Sequence, residues 1–300
     1  MPSLLTIDDL DDNDLRHLVV RGAEFSAGAH AREALRDKVV GIYFRKTSTR
    51  TRTAFSAGAL RLGAQIVSYG PDDLQENTGE TAGDTAAVLS GMLDVFVART
   101  AGSQAELEAY AAQRRMAVVN AMSRDEHPTQ ALTDLTTLHR RFGRVDGLRV
   151  LYVGEGNNTA SALTLALSRF EGTELHLRTP DGSGVDPRFL RTAEVSAKRS
   201  GAKVRERHDM RDLPSVDVVY TTRWQTTGTS KADPDWRTAF APFQVDDRVL
   251  GDAPVFMHDL PAHRGEEVTA SVLDGPASIA FAQAENKLHS ARAVLEWCVG

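Results

Sequence analysis

The sequence predicts an α/β protein of two domains, each built on a mainly parallel sheet flanked by helices. Apolar runs rich in β-branched residues recur along the chain, each followed by a helix-like stretch, which is the pattern of βα units around a buried parallel sheet. The runs fall into two series in a chain of 300 residues, long enough for two domains of ordinary size. The first series is KVVGIYF (38–44), AQIVSYG (64–70), DVFVAR (94–99) and MAVVNA (116–121). The second is LRVLYVG (148–154), TELHLRT (173–179), AKVRERH (202–208), VDVVYTT (216–222) and PVFMHDL (254–260). Between them, HPTQALTDLTTLHRRFGRVDG (127–147) has apolar positions at helical spacing and a glycine-containing stop, and predicts a joining helix. FAQAENKLHSARAVLEWCV predicts a closing helix, and no internal repeat or low-complexity tract interrupts the pattern.

Composition narrows the function classes. Hydrophobic residues make up 41% and charged residues 25%, as in soluble globular proteins rather than disordered or fibrous ones. The net charge of −6 argues against a general nucleic-acid surface, so any anion site must be local. The single cysteine, Cys298, excludes an intrachain disulfide and a cysteine metal cluster, and fits a reducing cytosol. The start, MPSLLTIDDLDDND, lacks the basic and apolar regions of a signal peptide, and no run approaches the roughly 20 apolar residues of a membrane helix. A cytoplasmic protein without metal or bound cofactor is expected.

One stretch concentrates positive charge. KVVGIYF is followed by RKTSTRTR and then by an alanine-rich helical run, and strand–loop–helix geometry turns backbone N–H groups and the positive helix end toward an anion. The hydroxyls of Ser48, Thr49 and Thr51 can donate to phosphate oxygens, and Arg50 can grip two oxygens at once. A solvated basic loop is the alternative. The loop is no Walker motif, since it has no glycine cradle, and GEGNNT (154–159) is a weak dinucleotide fingerprint because Thr159 stands at its third small position.

STRTR resembles the phosphate-binding signature of the aspartate and ornithine carbamoyltransferases. GETAGDTAAVLSGMLDVFVAR, HPTQAL, GEGNN, MHDLPAHRGEEVT and QAENKLH match that family in the right order over nearly the whole chain. The resemblance implies a carbamoyl-phosphate-binding domain over 1–126, completed by a returning 283–300 helix. It also implies an inter-domain helix over 127–147 and an amino-acid acceptor domain over 148–282. It places Ser48, Thr49, Arg50 and Thr51 on the phosphate, and Arg99, His127 and Gln130 around the carbamoyl group. Arg99 and His127 can physically stabilise an oxyanion on the carbonyl, at roughly 3 kcal/mol for each preorganised donor. Without the family, His127 reads as a capping or packing residue. Gln75 matches a residue that reaches into a neighbouring subunit's site, which implies a homotrimer with shared sites; an exposed loop residue without a role is the alternative. The backbone carbonyl of Leu260 is expected to accept from the carbamoyl nitrogen.

The chain departs from the pattern at the acceptor. Ornithine enzymes carry D-x-x-x-S-M-G where this chain has TRWQTTG, so Thr222 replaces the aspartate that holds the ornithine α-amino group, with Thr226, Thr227 and Gly228 following. TTRWQ instead resembles the T-R-x-Q of aspartate carbamoyltransferases, which implies that Arg223 and Gln225 bind an acceptor carboxylate; a surface pair is the alternative. HDLP replaces H-C-L-P, so Asp259 stands where a thiol lies near the reacting amine. A carboxylate there can hold an ammonium, which raises the amine's pKa, and helps the reaction only if it also accepts the proton. Lys287 replaces an arginine, keeping the charge and losing the bidentate fork, while Asn158 retains a match to a carboxylate contact.

The sequence therefore points to a carbamoyltransferase of the ornithine branch with an altered acceptor pocket. Arg50, Arg99, His127 and Asp259 are its candidate catalytic residues, and the expected acceptor is a diamino acid such as 2,3-diaminopropionate or ornithine. An ordinary ornithine carbamoyltransferase making citrulline is the second reading. A catalytically silent anion-binding relative is the third.

Overall fold

In a computed structural model of the chain, residues 1–31, 33–226 and 230–300 are described. All the predicted apolar runs become strands, in two parallel sheets of four and five strands. Contacts divide the chain into one unit of Met1–Arg141 with Glu285–Gly300, and a second of Phe142–Ala284.

The first unit runs α1 (Asp12–Ser26), β1 (Val39–Phe44), α2 (Arg50–Arg61), β2 (Gln65–Tyr69), α3 (Ala82–Leu89), β3 (Val95–Arg99), α4 (Gln104–Ala111), β4 (Ala117–Asn120) and α5 (Pro128–Phe142). Its strand order is β2-β1-β3-β4. β1, β3 and β4 are almost wholly buried, as their apolar runs require, whereas β2 is an edge strand with exposed residues along it. Tyr43, Phe96 and Tyr110 stack and tilt against one another in the core of this unit.

The second unit runs β5 (Arg149–Val153), α6 (Asn158–Leu167), β6 (Glu174–Arg178), α7 (Pro187–Ser200), β7 (Lys203–Arg207), β8 (Val218–Thr221), α8 (Trp236–Phe240), α9 (Asp247–Leu250), β9 (Val255–His258) and α10 (Ala270–Leu273). Its order is β7-β6-β5-β8-β9. Leu151, Val219, Phe256 and Val268 are among the buried side chains on one face of this sheet.

The last helix, α11 (Ala280–Val299), belongs from Glu285 onward to the first unit and packs on its helices. Ser290 Oγ lies 2.7 Å from Thr133 Oγ1 on α5, Asn286 donates to Thr137 Oγ1 at 3.0 Å, and Arg21 on α1 donates to Glu296 at 2.9 Å.

Each strand order reverses direction once, between β1 and β3 in the first sheet and between β5 and β8 in the second. Open α/β sheets leave a crevice at the carboxyl ends of the strands at such a point. In each unit the polar motifs follow these strands.

Candidate functional site

In the first unit, β1 delivers the arginine-hydroxyl loop and β3 ends on Arg99. The two ends are joined, with the Arg45 N–H donating to the Arg99 carbonyl at 3.0 Å. Arg50 opens α2, and the residue before it, Thr49, makes no side-chain cap hydrogen bond. Thr51 is buried, Ser48 and Arg50 are half-buried, and Thr49 is exposed.

The charges of this loop do different work. Arg45 donates to Glu76 at 2.9 Å, to Tyr43 Oη at 2.9 Å and to Glu106, so it is a strut beneath the loop and its positive charge is matched. Lys46 and Arg52 are exposed.

His127 is delivered by a polar turn between β4 and α5. Asn120 holds that turn through the Met122 N–H at 2.9 Å and the Leu5 carbonyl at 2.8 Å, and the buried Glu126 carboxylate accepts from the Ile7 N–H at 2.8 Å. The imidazole is buried, with Nδ1 3.2 Å from Thr129 Oγ1. Burial, then the positive charges of Lys287 and Arg99, hold its pKa well below 6.5. A neutral imidazole follows, able to donate one hydrogen bond without bringing a charge.

One turn along α5, Gln130 is buried between two charged side chains. Its Nε2 donates to Asp134 Oδ1 at 2.7 Å and its Oε1 accepts from Lys287 Nζ. Lys287 also lines a small pocket with Thr51, Thr129, Thr133 and Ser290, which ties α2, α5 and α11 together. Ser48, Thr49, Arg50, Thr51, Arg99, His127, Gln130 and Lys287 thus all lie in the first unit. Gln75 is exposed in a 3-10 turn, where its amide oxygen accepts from Thr78 at 3.0 Å.

In the second unit, β5 leads into GEGNN. Gly156 donates to the Ser183 carbonyl at 2.8 Å, and a Cβ on it would lie 2.2 Å from backbone atoms of Gly184 and Val185, so only glycine fits this approach. Asn157 caps α6 by accepting from the Thr159 and Ala160 N–H groups at 3.0 and 3.2 Å, and Asn158 follows as a buried residue.

Asp259 follows β9, and each of its carboxylate oxygens accepts from a hydroxyl of a different element. Thr222, just beyond β8, donates to Oδ1 at 2.8 Å, and Thr159 on α6 donates to Oδ2 at 3.1 Å. Thr222 and Asp259, at the ends of neighbouring strands, are thus hydrogen-bonded to each other.

His258 fixes the turn that follows. Its Nδ1 accepts from the Leu260 N–H at 2.8 Å, which puts the ring proton on Nε2, 3.2 Å from Oε1 of the fully buried Glu267. Leu260 has φ +54° and a cis bond to Pro261.

Arg223 is half-buried and, among the described residues, makes no hydrogen bond or ion pair. Trp224 is buried against Phe240, and Gln225 and Thr226 are half-buried. Thr227 and Gly228 lie outside the described residues. The loop is tied to GEGNN by Lys231, which meets Glu155 at 2.5 Å, and by Thr226, which donates to Glu155 at 3.2 Å.

Sequence reasoning missed Asp134, Thr159, His258 and Glu267. Thr159 was visible only as a mismatch to a dinucleotide fingerprint, and His258 and Glu267 lay unread inside MHDLPAHRGEEVT.

Among the described residues no three His, Cys, Asp or Glu side chains group as metal ligands, and no helix is long and apolar enough to cross a membrane.

Comparison with known proteins covers the whole chain. Residues 3–140 match the sequence model described as aspartate/ornithine carbamoyltransferase, carbamoyl-P binding domain, and residues 146–298 match its Asp/Orn binding domain. An ornithine carbamoyltransferase of Gloeobacter violaceus is 37% identical over 303 residues, covering 100% of this chain and 96% of that protein. One from Thermococcus kodakarensis is 39% identical over 270 residues, covering 89% and 85%. The solved ornithine carbamoyltransferase of Pyrococcus furiosus superposes with a TM-score of 0.91 at 36% identity, covering 98% of this chain and 96% of that one.

Proposed function

Because the chain belongs to the aspartate/ornithine carbamoyltransferase family and is a carbamoyltransferase using carbamoyl phosphate, we propose that its acceptor is ornithine and its product citrulline. The relatives' names favour ornithine over the altered acceptor expected from the sequence. The observation that carries the donor half is that β1, which leads into the 48–51 loop, and β3, which ends on Arg99, are neighbours at the first sheet's switch point and are joined by the Arg45 N–H and the Arg99 carbonyl.

In the proposed chemistry, Ser48, Thr49, Arg50, Thr51 and the first turn of α2 bind the phosphate of carbamoyl phosphate. Arg99 and neutral His127 donate to the carbonyl oxygen and stabilise the charge that gathers there. Lys287 adds positive charge on this side, Gln130 and the Leu260 carbonyl accept from the carbamoyl nitrogen, and Gln75 serves a neighbouring subunit of a homotrimer. A neutral amine attacks the carbonyl carbon, a C–N bond forms, and the C–O bond to phosphate breaks. The proton the amine loses goes to Asp259 or to the departing phosphate. Asn158, Arg223 and Gln225 hold the acceptor carboxylate, and Thr222 holds the Asp259 carboxylate in place. A cytoplasmic location belongs to the same proposal.

One observation favours a second acceptor. Asp259, held by Thr159 and Thr222, brings a carboxylate into the pocket from β9 rather than from β8, which suits a diamino acid of another length such as 2,3-diaminopropionate. Ureido product measured across a panel of diamino acids separates the two. Ornithine with the highest kcat/KM supports the first reading, and 2,3-diaminopropionate with the highest replaces it with the second.

A further inference from the structure

Gln130 has two charged neighbours that can each be satisfied in only one way. The Asp134 carboxylate can only accept and the Lys287 ammonium can only donate, so the amide has one orientation, Nε2 toward Asp134 and Oε1 toward Lys287. Gln130 and Asp134 stand four residues apart on one face of α5, and Lys287 comes from α11. All three are buried. Burying a carboxylate and an ammonium is costly, and apolar side chains of similar volume would fill this space at lower cost.

We propose that Asp134 and Lys287 are positioning residues that aim the Gln130 oxygen at the donor's N–H group, and so make the site select a carbamoyl phosphate over an acyl phosphate. The inference rests on the donor reading above. A carbamoyl group and an acetyl group differ by NH2 in place of CH3, so shape separates them poorly. A fixed acceptor separates them well. An amide oxygen has two lone pairs, one engaged by Lys287 and one able to take a carbamoyl N–H. Were the amide flipped, an NH2 would face the NH2 of the ligand, and the preference would disappear.

The test compares carbamoyl phosphate, acetyl phosphate and inorganic phosphate as ligands of the whole enzyme by calorimetry. Asp134→Asn, which presents an oxygen or an NH2 with equal ease and leaves Lys287 alone to hold the amide, is expected to weaken carbamoyl phosphate about fivefold, part of one hydrogen bond, and to leave the other two within about twofold. Gln130→Met, which removes the acceptor itself, is expected to weaken carbamoyl phosphate roughly tenfold with the other two again within about twofold, and adding Asp134→Asn to it should change the carbamoyl-to-acetyl ratio no further. If Asp134→Asn does not fold, Asp134→Ser also removes this one restraint on the amide and carries the same expectation. Equal weakening of all three ligands, an unchanged ratio, or a further drop in the double variant overturns the positioning role. A wild-type protein that binds no inorganic phosphate overturns the donor reading, and this inference with it.

Discussion

At the first sheet's switch point the side chains are donors; at the second, they converge on an acceptor. At the former, the end of β1 leads into Ser48, Thr49, Arg50 and Thr51, and the neighbouring β3 ends on Arg99. The latter turns Thr159 and Thr222 toward the Asp259 carboxylate. The proposed phosphate site is a contiguous loop, because one strand-to-helix turn can supply backbone N–H groups, hydroxyls and a guanidinium together. An amino acid carries charges of both signs at fixed separations, so its site must draw on several strand ends.

The largest effect expected is on the donor side. Arg50→Ala should lower carbamoyl phosphate affinity by about a hundredfold or more, measured by calorimetry, since a bidentate charged contact is lost. Unchanged affinity would remove Arg50 from the phosphate. On the acceptor side, Asp259→Asn should reduce kcat by roughly ten- to a hundredfold while carbamoyl phosphate binding stays within about twofold. Equal loss of both would erase the distinction between the halves.

A scaffold effect comes next. Gly156→Ala places a methyl against the backbone of Gly184 and Val185, and should destabilise the chain by about 2 kcal/mol in urea unfolding, because neither partner is a movable side chain. A stability equal to wild type would mean that the loops separate freely.

The smallest effect concerns His127. Its pKa is depressed in the fold, so below about 6.5 the unfolded chain binds a proton that the native state refuses. Its contribution favours the fold above that pH and is lost as pH falls toward the depressed value. His127→Gln should therefore flatten the fall of unfolding free energy below pH 6.5, by an amount read from urea titrations at several pH values. An identical slope would show that the ring is charged in the fold.

The two halves also differ in how they could be read. The strands of both sheets were visible as apolar runs, because burial on both faces writes itself into consecutive residues. The proposed donor loop was visible for a related reason, since its residues are neighbours in sequence. Asp259 was recognised as unusual, but its partners stand at 159 and 222, and nothing local links three positions on separate elements. Asp134 carried no signal because a buried carboxylate on a helix looks like a surface one until its partner is known. Arg45 shows the converse: it lies in the basic stretch, yet its charge is matched by Glu76 and Glu106.

The most direct test of the central claim is phosphate release from carbamoyl phosphate with and without ornithine, alongside assay of the ureido product. Release that depends on the amine and equals the product mole for mole is the predicted result. Release indifferent to the amine, or none with any diamino acid, would contradict it and leave an anion-binding relative without transferase activity.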